Sequence, residues 1–479
     1  MLMELGPRIL SALRWGAGAK FVSQLFTWAM TIVVIRLLSP QDYGLMAMAV
    51  LVSQFLMLLN EIGLGAVLVQ RTNLNDNLVR QIFGLVLIIN GGFFSVLYAA
   101  APLIAAYFGE DRLVEIIRLL AFQFLIAAFE VIPVSILERN LDFKKKSLVY
   151  LGASVSGGIV TFSLALTGYG VWALVWGNMT VLILNTVGVN LVSPYLRWPK
   201  FDFRGMRGVI NFGGMVTLER AMWFLYTQAD VLIVGKFLGK ELLGIYSVAM
   251  HLASLVMHKT GGVIYEVAFP SFSRAQEDLE QVTHYFLKAV RIMSFVTFPL
   301  FFGISSIAPE LVSFLLGEKW RYAGTILAIL SLVMPLRMIS NLLPPVLQGI
   351  GHPVKSVFNL LIAITIMPAA FMIGTKWSIS GVSFAWLTMF PIVFTLTLLN
   401  SLATLRVSWL AFLSAIYIPL ASSLIMYAVV MATRILIDGS LPLIGQLTIL
   451  VLAGMLTYGA LAFFVHRDGY REVMALVRR

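Results

Sequence analysis

Fourteen apolar runs, each long enough to cross the hydrocarbon core of a bilayer, follow one another along this chain of 479 residues. A spanning helix needs about 20 predominantly apolar residues. Such runs fall near 15–38, 43–65, 81–108, 113–137, 148–167 and 169–192. After a basic linker come 209–236, 243–267, 285–307, 322–348, 354–374, 378–403, 409–433 and 441–465. Only 12% of the residues are charged and 59% are hydrophobic, whereas soluble domains carry roughly 25% charged residues. There is too little polar surface here to keep the chain in water. Lipid is its solvent, and in lipid the backbone must satisfy its own polar groups, so the expected class is all-α with about fourteen transmembrane helices.

Charge sets the expected orientation. Of the 34 lysines and arginines, 21 fall in loops and tails on the side of the N-terminus, eight fall on the other side and five lie within spans. By the positive-inside rule both termini are cytoplasmic, as are the 138–147 and 193–208 loops. The net charge of +11 is explained by these retained basic loops and does not call for nucleic acid as a partner. The apolar run after Arg8 and Arg14 is too long for a signal-peptide core and is read as an uncleaved first helix. The longest loop is expected around 268–284. With no long loop, no segment has room for a separate soluble catalytic domain, so an enzyme is not expected.

Several chemistries are absent at the level of motif. There is no cysteine, which excludes disulfides and thiolate metal sites. No metal-ligand histidine spacing and no phosphate-loop motif occurs, so neither a metal site nor a built-in ATP motor is expected, and no cofactor.

An internal repeat organises the chain. Lys20–Ser53 aligns without gaps on Arg220–Ala253, an offset of 200 residues, with Leu25, Thr27, Ala29, Val34, Leu38, Gly44 and Ala49 meeting identical residues. Lys20 meets Arg220 and Arg36 meets Lys236. An offset of six spans, an even number, gives the two copies the same orientation, which is the plan of parallel-repeat transporters. The expected domains are a six-helix bundle over 1–200, a second over 201–405, and two further helices with a tail over 406–479.

Polar residues within spans mark the candidate sites, because a charge at the bilayer centre costs about 2.5–3.5 kcal/mol on insertion scales. Lys20, Gln24, Thr27 and Thr31 share one face of the first helix. Glu219, Trp223, Tyr226 and Asp230 repeat that spacing in the seventh, beside Arg220 and Thr227. Lys259 lies in the eighth span, and Arg337 lies near the middle of the tenth, close to Pro335, Pro344 and Pro345. Lys20 could instead snorkel, Glu219 and Arg220 could form an ion pair, and Glu115 with Arg118 reads as a local pair. Glu130, Glu219 and Asp230 are the candidates for coupling to H+ or Na+.

Five segments resemble the polysaccharide transporter family of the multidrug, oligosaccharidyl-lipid and polysaccharide exporter superfamily: RLLSPQDYGL (36–45), ERNLDFK (138–144), ADVLIVGKFLG (229–239), FPSFSR (269–274) and LLGEKW (315–320). The resemblance covers about residues 10–400. It implies two six-helix bundles around a central cavity that work by alternating access in the bacterial inner membrane. The implied cargo is an undecaprenyl-pyrophosphate-linked oligosaccharide for exopolysaccharide, capsule or O-antigen. Polysaccharide polymerase or chain-length machinery would be partners. Lys20, Arg220, Lys259 and Arg337 are then the counterparts of the family's pyrophosphate-binding cations. Gln24, Thr27, Thr31, Trp223 and Tyr226 would line the glycan path, since aromatic rings with a polar edge suit sugars. A carboxylate-lined cavity would instead suit an ion-coupled exporter of cationic drugs, and a lipid-linked peptidoglycan precursor is the alternative cargo.

Overall fold

A computed structural model of the chain describes residues 26–60, 68, 75–195, 197–202, 207–274, 278–437 and 441–464, with the backbone alone at 60, 207–220 and 256–274. Every regular element among these residues is helical. In chain order they are α1 (Phe26–Leu37), α2 (Pro40–Asn60), α3 (Asp76–Phe108), α4 (Leu113–Ala128), α5 (Val131–Arg139), α6 (Phe143–Leu166) and α7 (Val171–Val192). There follow α8 (Arg207–Arg274), α9 (Leu279–Leu316), α10 (Arg321–Ser340), α11 (Leu343–Gly349), α12 (Pro353–Gly374), α13 (Ser378–Leu405), α14 (Trp409–Ile437) and α15 (Leu443–Phe464). Each of the fourteen expected windows holds helix.

Among the described residues, nine helical stretches are long and apolar enough to cross a membrane, or ten when α4 and α5 count as one bent span. That count merges α12 with α13, although the two helices pack against each other. It also omits α1, whose described length is too short for a crossing. The 68 residues of α8 would measure roughly 100 Å if straight, far more than one crossing. The helix breaks at Gly239, where φ is +80°, a backbone conformation that glycine adopts without a Cβ penalty. Two expectations need correction. The stretch 268–284, expected as the longest of the short loops, is mostly helix: α8 runs to Arg274 and α9 starts at Leu279, capped by the Asp278 carboxylate on the Gln281 N–H at 3.0 Å. The fourth span is not continuous: α4 and α5 meet at a 42° bend.

Large apolar side chains point outward on several helices, with Leu103 75% and Leu191 77% exposed. On helices this hydrophobic, such faces are solvated by lipid tails. The chain divides into two compact units, Met1–Gly244 and Ile245–Arg479. This places the first part of α8 with the amino-terminal unit, whereas the repeat groups it with the second bundle. One grouping follows proximity and the other follows internal similarity.

Within the amino-terminal unit, the basic linker after α7 is strapped across the start of α3. Arg80 Nε donates to the Trp198 carbonyl at 2.9 Å, the Lys200 N–H donates to the Arg80 carbonyl at 2.9 Å, and Lys200 Nζ donates to Asn77 Oδ1 at 2.9 Å. At the opposite end of α3, Lys236 Nζ donates to the Tyr107 carbonyl and Lys240 pairs with Glu110 at 2.7 Å. Cations at the carboxyl end of a helix complement its dipole. The Glu115–Arg118 pair does not form among the described residues. Arg118 instead stacks its guanidinium 4.9 Å from the centre of the Tyr98 ring.

The expected topology is checked by reporter fusions at Lys146 and at Arg479, the latter outside the described residues. Both should report the cytoplasm. Export of either reporter would overturn the count of crossings.

Candidate functional site

In the carboxy-terminal unit the polar centre is built around Arg337. Pro335 two residues earlier lacks the N–H that would close a helical bond, and α10 ends three residues later at Ser340. The guanidinium lies 4.1 Å from the centre of the Trp386 ring on α13. Its Nη1 donates to the sulfurs of Met250 at 3.5 Å and Met334 at 3.9 Å. Trp386 is completely buried and is itself anchored, its Nε1 donating to the Tyr246 hydroxyl at 2.9 Å. Among the described residues no carboxylate lies within ion-pair distance of Arg337. Thioethers are weak acceptors and a ring face contributes about 0.5–2 kcal/mol. Among the described residues the cation is thus positioned but not neutralised, and no further partner of its donor fork is seen.

A second polar group in this unit went unnoticed in the sequence. Asn359 on α12 donates to Ser401 Oγ at 3.0 Å, Asn400 donates to Asn359 Oδ1 at 2.7 Å, and Lys355 donates to Thr404 Oγ1 at 2.6 Å. Asn400–Thr404 and Thr397–Ser401 are spaced i, i+4 on α13, which was the one available signal. These groups satisfy one another and tie α12 to α13, as small polar residues do between helices in lipid.

In the amino-terminal unit only some of the expected residues fall among the described ones. Thr27 on α1 shares a hydrogen bond with Ser154 on α6 at 3.1 Å, and Thr31 lies one turn further along α1, half-buried. On α8 Trp223 is 52% exposed and Tyr226 is half-buried. Thr227 donates to the Trp223 carbonyl at 3.0 Å. Asp230 is buried, with Oδ1 accepting the Val231 N–H at 2.8 Å. Glu130 sits in the bend between α4 and α5, where Tyr150 and Thr186 donate to its two oxygens. Lys20 and Gln24, and the side chains of Glu219, Arg220 and Lys259, lie outside the described residues.

The fold and these membrane-level polar groups define a multi-pass, all-helical membrane protein. Residues 33–325 match the model of the polysaccharide biosynthesis protein family, and the chain belongs to that family. It is 28% identical over 292 residues to the teichuronic acid biosynthesis protein TuaB of Bacillus subtilis, a match spanning 60% of each chain. It is 25% identical to the succinoglycan biosynthesis transport protein ExoT of Rhizobium meliloti, over 67% of this chain and 65% of the relative. It is 22% identical to the lipopolysaccharide biosynthesis protein WzxC of Escherichia coli K12, over 80% of this chain and 79% of the relative. Among solved structures, the lipid II flippase MurJ in an inward closed conformation superposes with a TM-score of 0.75 at 16% identity, covering 95% of this chain and 99% of that one. An inward-facing multidrug transporter of the MATE family gives 0.60 at 15% identity, over 85% and 94%. At these identities the structural likeness speaks for the fold alone.

Proposed function

We propose that this chain is a flippase carrying an undecaprenyl-pyrophosphate-linked oligosaccharide across the bacterial inner membrane by alternating access, for exopolysaccharide, capsule or O-antigen synthesis. The observation that carries the reading is Arg337, an arginine within a span, stacked on Trp386 with no carboxylate to neutralise it among the described residues. A retained, uncompensated cation at that depth marks the path of an anion. Guanidinium forks suit phosphate oxygens geometrically. Lys20, Arg220 and Lys259 join it as pyrophosphate-binding cations by their sequence positions. Trp223 and Tyr226 offer faces to sugar rings. The lipid tail would stay in the bilayer throughout, so the protein need only shelter the headgroup and the glycan. The names of the three relatives, all from polysaccharide biosynthesis, agree with such a cargo. Polymerase and chain-length machinery would receive it on the far side.

The test is deletion of the gene followed by mass spectrometry of the lipid-linked oligosaccharides. One repeat unit should accumulate on its lipid carrier and disappear on complementation. Unchanged lipid-linked pools with loss of drug resistance would point to the small-molecule exporter reading instead.

A further inference from the structure

We propose that Glu130 is a proton-binding site of the amino-terminal unit, and that its protonation biases the transport cycle. The second half rests on the flippase reading; the proton site does not.

Glu130 occupies the break in the fourth span. The last turn of α4 ends with Phe129, whose carbonyl is taken by the Asn190 side chain of α7 at 2.9 Å. The chain then bends by 42° into the nine-residue α5. Counting back along α5, Glu130 lies roughly 13 Å inside the expected cytoplasmic end of the span. Tyr150 reaches it from α6 at a similar depth and donates to Oε1 at 2.8 Å, and Thr186 of α7 donates to Oε2 at 3.4 Å. Three helices thus converge on one carboxyl group, and both hydrogen-bond partners are neutral hydroxyls.

Among the described residues, most charged groups on the elements around it have partners of their own. On α6, Lys146 lies a turn closer to the cytoplasm, with Nζ 2.5 Å from Glu138 Oε1, and Lys145 pairs with Asp142 at 2.7 Å. Lys144 is exposed at the start of that helix. Arg139 on α5 donates to the Leu68 carbonyl. Of the charged residues of α3, Arg80 is turned to Trp198 and Asp76 stands 3.8 Å from Arg197. Helix α7 carries no ionisable residue, while Arg118 and Glu115 lie roughly three and four turns away on α4. Among the described residues Lys146 is the nearest cation: its Nζ pairs with Glu138, lies 5.4 Å from the centre of the Tyr150 ring and is close enough to act on Glu130 through space. Other carboxylates contrast with this arrangement: Glu310 is held by Arg434 at 2.7 Å, Glu110 by Lys240 and Glu138 by Lys146.

A carboxylate held at membrane depth by neutral donors can shed its charge simply by taking a proton. When water on one side supplies the proton, Glu130 becomes a neutral acid. Its new O–H turns towards Thr186 Oγ1, whose own hydroxyl rotates away, while Tyr150 keeps donating to Oε1. Release to water on the other side restores the anion. Proton and charge balance with no other reactant. Because the group sits at a helix break, the two charge states pull differently on α5, α6 and α7, which is the differential interaction that a population shift requires.

Infrared difference spectra of the purified full-length protein, recorded between mildly acid and mildly alkaline pH, test the site without any substrate. A protonated-carboxyl stretch should titrate in the wild type, vanish in Glu130→Gln and move in frequency in Tyr150→Phe. A difference spectrum that Glu130→Gln leaves unchanged overturns the site. Should that variant fail to fold, a band that Tyr150→Phe leaves in place overturns it instead. The cysteine-free sequence makes the second arm direct. Spin labels on Lys144→Cys and His352→Cys should show a distance distribution that shifts with pH, and Glu130→Gln should abolish the shift. A shift that survives the substitution overturns the coupling role while leaving the proton site standing. Loss of export alone, with both spectroscopic results intact, would bear only on the cargo.

Discussion

Gly44→Val or Gly244→Val should each deplete folded protein from the membrane several-fold. The two glycines are equivalents in the 200-residue repeat and their surroundings are reciprocal. A Cβ on Gly44 would overlap the carbonyl oxygen of Lys240, and a Cβ on Gly244 would overlap the carbonyl oxygen of Pro40. Residues 40 and 240 are themselves repeat equivalents, and Gln41 donates to its own equivalent, Glu241, at 3.3 Å. Segment i meeting segment j while j meets i is the signature of a two-fold contact, here made within one chain by the starts of α2 and the second part of α8. The obstacles are backbone carbonyls at helix starts, so a new side chain cannot be accommodated by a rotamer change. Overpacking of this kind costs about 1–3 kcal/mol, and one or two kcal/mol changes the folded-to-unfolded ratio by roughly 5–30-fold. Fluorescence-detected size exclusion of tagged variants measures it. Gly92→Ala is the control, since nothing lies within 4 Å of its added carbon and alanine favours helix there. The double variant Gly44→Ala, Gly244→Ala should cost less than the sum of its parts, because the first change already separates the segments. Near-wild-type yields of both valine variants would mean the close approach is not needed.

That reciprocal contact shows how legible the fold was. In lipid, hydrophobic length is close to a direct readout of helices, so the windows were visible one by one. Gly44 and Gly244 stood out because two copies of one pattern carried them. What sequence could not show was how polar groups compensate one another across helices. Nothing local distinguishes Glu115 and Arg118 from an ordinary i, i+3 pair, yet Arg118 prefers the Tyr98 ring from the neighbouring helix. The break at Glu130 is announced by Pro133, which has no N–H for the Phe129 carbonyl four residues back; what local sequence could not show is that Asn190, some 60 residues on, takes that carbonyl. The Asn359–Asn400–Ser401 cluster was overlooked for the same reason. Each member alone is a tolerable polar residue in an apolar run, and only the packing of α12 on α13 makes them a set. Arg337 could be singled out as a cation near mid-span, but Trp386 and Tyr246, which hold it, read as ordinary aromatic residues of the core.

Arg337→Gln should lower export about 10–100-fold while leaving the protein in the membrane. Charge-assisted hydrogen bonds are worth about 1.5–3 kcal/mol each, and 1.4 kcal/mol is a factor of ten. The substitution removes the charge without leaving a carboxylate unpaired, since none partners Arg337 among the described residues, so stability should change little. Arg337→Lys keeps the charge but loses the planar fork and the stacking on Trp386, and should fall between the two. Tyr246→Phe deletes the hydroxyl that accepts the buried Trp386 N–H. It should lower stability by about 1–3 kcal/mol and reduce export less than Arg337→Gln, because the ring stays packed while its aim loosens. Trp386→Ala is a poor probe, since emptying so large a buried site costs about 3–5 kcal/mol and would confound loss of fold with loss of function. The readout is the lipid-linked repeat unit that accumulates in the deletion strain carrying each variant, normalised to protein in the membrane. A rank order of wild type, Lys, then Gln ties export to the charge and its geometry. Export by Arg337→Gln at the wild-type rate would remove Arg337 from the anion path and, with it, the observation on which the flippase reading rests.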